Sequence, residues 1–131
     1  MAKAIGYLYQ AGERAVRLFA NEEAITHFSK ALGLLELLPD TPERREQELD
    51  IQIALGPLLM ITTSYAAPEV EKAYTRAAEL CQQVGRTPQL FPVLWGLHQV
   101  YLFRAQLHRS AELGEQCLYL AQDLQDPDLL L

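Results

Sequence analysis

Basic residues are scarce in this chain: 11 Lys and Arg stand against 17 Asp and Glu, for a net charge of −6. Binding to nucleic acid needs a basic face that neutralises phosphates, so no nucleic-acid partner is expected. Long apolar runs are also missing. The longest, such as residues 56–62, stop far short of the ~20 residues that span a bilayer. The first residues, Met1 to Ile5, lead straight into an amphipathic pattern and show no signal-peptide architecture. A cytoplasmic chain without a membrane partner is therefore expected. Cysteine is sparse, with Cys81 and Cys117 lying 36 residues apart inside apolar helical patterns, where buried small side chains are expected rather than a disulfide.

Chemistry-bearing motifs are equally hard to find. Neither G-x4-G-K-[ST] nor G-x-G-x2-G occurs, so nothing is set to cradle a nucleotide phosphate. His27, His98 and His108 lack the H-E-x2-H spacing and have no cysteine neighbours suited to zinc. His98 is expected to be packed or to line a groove, and the other two to be solvated. Sequence distance leaves open a constellation of Cys117 with His98 and a carboxylate, but Cys117 falls at a small-residue packing position, and packing is the expected role. No catalytic residue, metal site or cofactor is expected, and the chain is not read as an enzyme.

What is present is regular punctuation. Half of the 131 residues are apolar and 21% are charged, the balance of one folded domain. The 7 Pro and 7 Gly fall largely between amphipathic stretches. Leu38-Pro39-Asp40-Thr41-Pro42, Val84-Gly85-Arg86-Thr87-Pro88 and Leu124-Gln125-Asp126-Pro127 each close a helical apolar pattern, with their final prolines 46 and then 39 residues apart. A period of that size signals stacked supersecondary units. Thr41 and Thr87 are expected N-caps, with Pro42 and Pro88 at the first helical position, where a missing N–H is harmless. A second break divides each unit, with Asn21 as the expected cap in the first and Pro68 opening the second. The spacing predicts six helices near residues 3–19, 22–38, 43–62, 68–84, 89–104 and 107–124. Pro57 should kink the third, and Pro92 should keep the first turn of the fifth irregular.

The second helix of each unit carries a matching trio: Ala24, Phe28 and Ala31, then Val70, Tyr74 and Ala77, then Ser110, Gly114 and Cys117. The i, i+4, i+7 spacing puts each trio on one face. The central aromatic should fill the space between neighbours. Where Gly114 replaces it, another side chain must do so.

These residues resemble the tetratricopeptide repeat, which pairs W-x2-L-G-x2-Y in its first helix with A-x3-F in its second. Here the first unit has Leu8-x2-Ala11-Gly12-x2-Ala15 followed by Ala24-x3-Phe28, and the third has Leu94-x2-Leu97-His98-x2-Tyr101. The second aligns when Gly56 takes the glycine slot. The resemblance implies an all-α, right-handed α-α superhelix of three elongated helix pairs. Repeat 1 would span about 3–40, repeat 2 about 41–86 and repeat 3 about 87–126, with 127–131 beginning a truncated further helix.

Further runs narrow the resemblance: Ala11-Gly12-Glu13-Arg14-Ala15, Leu38-Pro39-Asp40-Thr41-Pro42-Glu43-Arg44, Gln47-Glu48-Leu49-Asp50-Ile51-Gln52 and Gln89-Leu90-Phe91-Pro92-Val93-Leu94-Trp95-Gly96. They are similar to the helical-repeat region of large bacterial signalling ATPases that carry a nucleoside-cyclase or Ser/Thr-kinase domain. The likeness implies a regulatory or sensory segment that binds a protein or peptide, or adjoining domains of a parent protein.

A solenoid binds on its surface, and its concave face is lined by the first helix of each pair. Projection of that face gives Tyr9, Glu13 and Arg17, then Ile53 and Met60, then Trp95, Gln99 and Phe103 as the expected partner-binding groove. Trp and Tyr with a nearby Arg is the composition of binding hot spots. The alternative reading is structural self-association. Leu129, Leu130 and Leu131 leave the C-terminal end without a polar cap, so a homodimer through exposed end faces is expected of the isolated chain.

Overall fold

The computed structural model describes residues 2–124. Six helices fill it: α1 (Ala2–Arg17), α2 (Asn21–Leu35), α3 (Pro42–Thr62), α4 (Pro68–Val84), α5 (Thr87–Phe103) and α6 (Leu107–Leu124). No strand occurs among the described residues. The expected helix following Pro127 lies outside them, as do Leu129 to Leu131.

Local chemistry sets the boundaries. Thr41 is extended, and its Oγ1 accepts a hydrogen bond from the Arg44 amide at 3.2 Å, with Pro42 opening α3. Gly85 ends α4 in the left-handed conformation (φ 74°), and the amides of Gly85 and Arg86 both donate to the Cys81 carbonyl. Two expected caps are displaced by one residue. Phe19 turns the chain with φ 59°, and the Ala20 amide donates back to the Ala15 carbonyl at 2.8 Å. That closure makes Ala20 the N-cap of α2 and leaves Asn21 as its first helical residue. Likewise Arg86, not Thr87, caps α5.

The first turn of α5 is helical despite Pro88 and Pro92. The amide that Pro88 lacks would have had no intrahelical acceptor so close to the start, and Pro92 removes only one bond further on. Helix α3 continues as one element past Pro57, which lies on its exposed side.

Neighbours pack in antiparallel pairs, α1 with α2, α3 with α4 and α5 with α6, and the pairs join through α2–α3 and α4–α5. The all-α helical-repeat architecture read from the sequence is the one observed. Helix α3 knits two core clusters together. Ile51, Leu55 and Leu58 pack with Ile5, Phe28 and Leu35 on one side, while Leu49 and Met60 pack with Tyr74, Leu80 and Val100 on the other.

The trios supply the keys between helices. Phe28, fully buried, occupies a notch at Gly12, where a Cβ would lie 2.6 Å from its ring. The Tyr74 ring is held between two glycines, Gly56 in its own pair and Gly96 in the next, whose added Cβ atoms would lie 2.7 and 2.5 Å from Cζ. In the third pair the sizes are inverted. Gly114 supplies the space and His98, at the position equivalent to Gly12, supplies the ring, its Cε1 lying 3.5 Å from where a Gly114 Cβ would be. The expected substitute for the missing aromatic is therefore His98. Its Nδ1 lies 2.7 Å from the Ser110 carbonyl, which can only accept, so Nδ1 carries the proton and donates. Ser110 Oγ donates in turn to the His98 carbonyl at 3.3 Å.

Candidate partner-binding surfaces

The eight residues expected to line the groove divide into three groups. On α5, Trp95 is 46% exposed and Phe103 63% exposed, with Gln99 half-buried between them. Their i, i+4, i+8 spacing makes one continuous ridge. Trp95 stacks on His98 (centroids 5.0 Å apart), and Phe103 stacks on Tyr65 from the α3–α4 connection (4.7 Å). Both anchors are thus braced from one side and open on the other.

On α1, Glu13 and Arg17 are exposed, while Tyr9 leans on Phe28 at 5.7 Å and lines a 220 Å³ recess with Ile5, Gly6, Gln47, Asp50 and Ile51. Burial, reinforced by Glu13 and Asp50, raises the Tyr9 phenol above its ordinary pKa. The α3 pair departs from the expectation. Met60 is only 7% exposed and accepts a hydrogen bond from the Tyr74 hydroxyl at 3.8 Å, and Ile53 packs against the same core. Both point inward because α3 is covered on two sides.

A larger concavity than the Tyr9 recess lies elsewhere. A cleft of about 900 Å³ runs between α2 and α4 over a floor from α3, lined by Ser29, Leu32, Gln52, Leu59, Lys72 and Arg76 among others. None of the eight expected residues lines it. It forms because α2 and α4 both pack on α3 without touching each other extensively. Part of its charge is paired within the fold. Arg76 grips Glu48 through Nε and Nη2 at 2.7 and 3.0 Å and reaches Glu79 at 3.2 Å; the Glu48 bond raises the guanidinium pKa.

At the far end of the cleft Glu71 accepts from the Tyr101 hydroxyl at 2.7 Å and from Arg104 at 2.9 Å. The Tyr101 bond, together with Arg104, holds the Glu71 carboxyl below the usual glutamate range. Arg109 lies 4.9 Å over the Tyr101 ring. This network ties α4, α5 and α6 together.

The remaining candidate chemistry sits in packing positions. Cys81 and Cys117 are buried and free. Burial pushes the Cys117 thiol up to about 11 and raises Cys81 as well, which keeps both from the reactive thiolate form at neutral pH. His108 is exposed and meets Glu112 at 3.0 Å, but His27 is half-buried with Nδ1 covered, so only one of the two expected solvated histidines is on the surface. No group of three or more His, Cys, Asp or Glu residues placed to hold a metal occurs among the described residues. None of their helices is long and apolar enough to cross a membrane.

No family model matches the chain, and neither the curated proteins nor the solved structures give a match.

Proposed function

We propose that this chain is a partner-binding module built on tetratricopeptide-like helix pairs, serving as the regulatory or sensory arm of a larger bacterial signalling ATPase or cyclase. The repeat grammar supports the family assignment: in the first two pairs a ring enters a notch left by a glycine on the facing helix, and in the third His98 lies against Gly114. The observation that carries the binding assignment is the Trp95–Gln99–Phe103 ridge. A tryptophan nearly half exposed, rigidly backed by a stacked histidine, keeps a large apolar contact area outside the core. Preordered aromatics lose little entropy on association and dominate interface energetics. The bound element would be a protein segment, from a separate partner or from an adjoining domain of the parent protein.

The test is affinity capture with the intact parent protein, comparing wild type with Trp95→Ala and Gln99→Ala. Loss of a specific partner in both variants, with unchanged circular dichroism, is the expected result. An unaltered set of captured proteins would remove the ridge from consideration.

A further inference from the structure

The three connections within pairs lie at one edge of the stack, because the antiparallel pairs repeat in the same direction. Exposed apolar side chains mark each of them. Leu18 and Phe19 stand out at the first connection, Ile61 and Tyr65 at the second, Phe103 and Leu107 at the third. The opposite edge carries the Asp40–Arg45 and Asp50–Arg86 ion pairs, with Leu37 and Tyr7 as exposed large apolar side chains.

Phe19 is the most telling member. It is 89% exposed and sits at φ 59°, a conformation that favours glycine. The third connection repeats this turn, with the Gln106 amide donating to the Tyr101 carbonyl as Ala20 does to Ala15. There Ala105 holds the equivalent place, also at φ 59°. The turn itself therefore has no need of an aromatic, and none of the described residues covers this one.

We propose that this edge is where the chain pairs with a second copy of itself, about a two-fold axis through the middle connection. Area and charge both favour that occupant. The six side chains together expose on the order of 800 Å², about what one partner contributes to a standard-size interface. Charge at the edge is balanced although the chain is at −6. The final turns of α1, α3 and α5, the caps and the first two turns of α2, α4 and α6 hold five basic and five acidic residues. Two copies can meet there without like-charge repulsion, whereas an anionic membrane would find no basic face to attract it. A two-fold arrangement is self-complementary. It sets Ile61 and Tyr65 against their own copies at the centre and Leu18 and Phe19 over Phe103 and Leu107 of the second copy.

Apart from Phe103, this surface is separate from the α5 ridge, so either assignment can fail alone. The experiment is sedimentation velocity on the 131-residue chain from micromolar to millimolar concentration. The expected result is a monomer–dimer equilibrium that Phe19→Gly weakens by roughly tenfold and Ile61→Lys abolishes. Phe19→Gly gives the turn the residue it favours, so its melting temperature must not fall. Ser64→Cys, at the tip of the middle connection, should form a disulfide with its own copy under mild oxidation. A monomer at every concentration overturns the proposal. So does a dimer indifferent to both edge variants but lost in Leu118→Glu on the outer face of α6. Co-sedimentation with phosphatidylglycerol vesicles that Phe19→Gly abolishes would assign the edge to a membrane and equally overturn it.

Discussion

Replacing Gly96 by Ala should destabilise the protein, although the change normally strengthens a helix. Gly96 lies mid-way along α5, where alanine is intrinsically better by about 1 kcal/mol. Against that gain, the new Cβ would fall 2.5, 2.6 and 2.8 Å from three atoms of the Tyr74 ring. The ring is confined from α3 as well, where a Cβ added at Gly56 would lie 2.7 Å from its Cζ. Overpacking of a well-filled core costs about 1–3 kcal/mol. The balance is a net loss of up to about 2 kcal/mol, or up to about 6 °C in melting temperature for a domain of this size. Thermal unfolding followed by circular dichroism measures it.

Gly33→Ala is the internal control. It lies in α2 with nothing within 4 Å of its added Cβ, and it should stabilise by about 0.5–1 kcal/mol. In a Tyr74→Ala background the Gly96→Ala penalty should vanish, since the clash then has no second member. Gly96→Ala at or above wild-type stability would refute the interlocking of pairs through Tyr74.

Three further outcomes follow from the same geometry. Ala105→Gly relieves the left-handed conformation of a non-glycine residue and should raise stability by up to about 1 kcal/mol in urea unfolding. The folded-state pKa of Glu71 is depressed, so its network contributes stability above the ordinary glutamate value of 4.5 and loses it as pH falls through the lower folded value; Glu71→Gln should flatten that acid limb. Cys81 and Cys117 should resist a thiol-labelling reagent in native buffer at pH 7 and react promptly once unfolded, because burial both covers them and raises their pKa.

Much of the architecture was legible in the chain because its boundaries are written in residues with local mechanisms. Thr41 before Pro42, Pro68, and Gly85 each act within one turn, and all three helix boundaries stand. The trio pattern likewise located Phe28 and Tyr74, and the gap at Gly114 called for a substitute that His98 provides. Asn21 and Thr87 were displaced by one place because the preceding turn, not the capping propensity of a side chain, decides where a helix begins.

The groove was harder. A single-face projection suits a helix buried on one side, and α3 is buried on two, which drew Met60 and Ile53 into the core. The cleft between α2 and α4 depends on how far apart two non-adjacent helices are held. No local pattern records that, although its Arg76–Glu48 clamp joins residues 28 positions apart. The exposed apolar connections were visible as letters, but only the stacking of pairs reveals that all three share an edge.

The most direct test of the binding account uses the chain's one tryptophan as its own reporter. Acrylamide quenching of Trp95 should be efficient in the free protein, given its 46% exposure, and should fall when a captured partner is added at saturation. A partner that binds at saturation and leaves the quenching of Trp95 unchanged would contradict the account, because the ridge would then still face solvent in the complex.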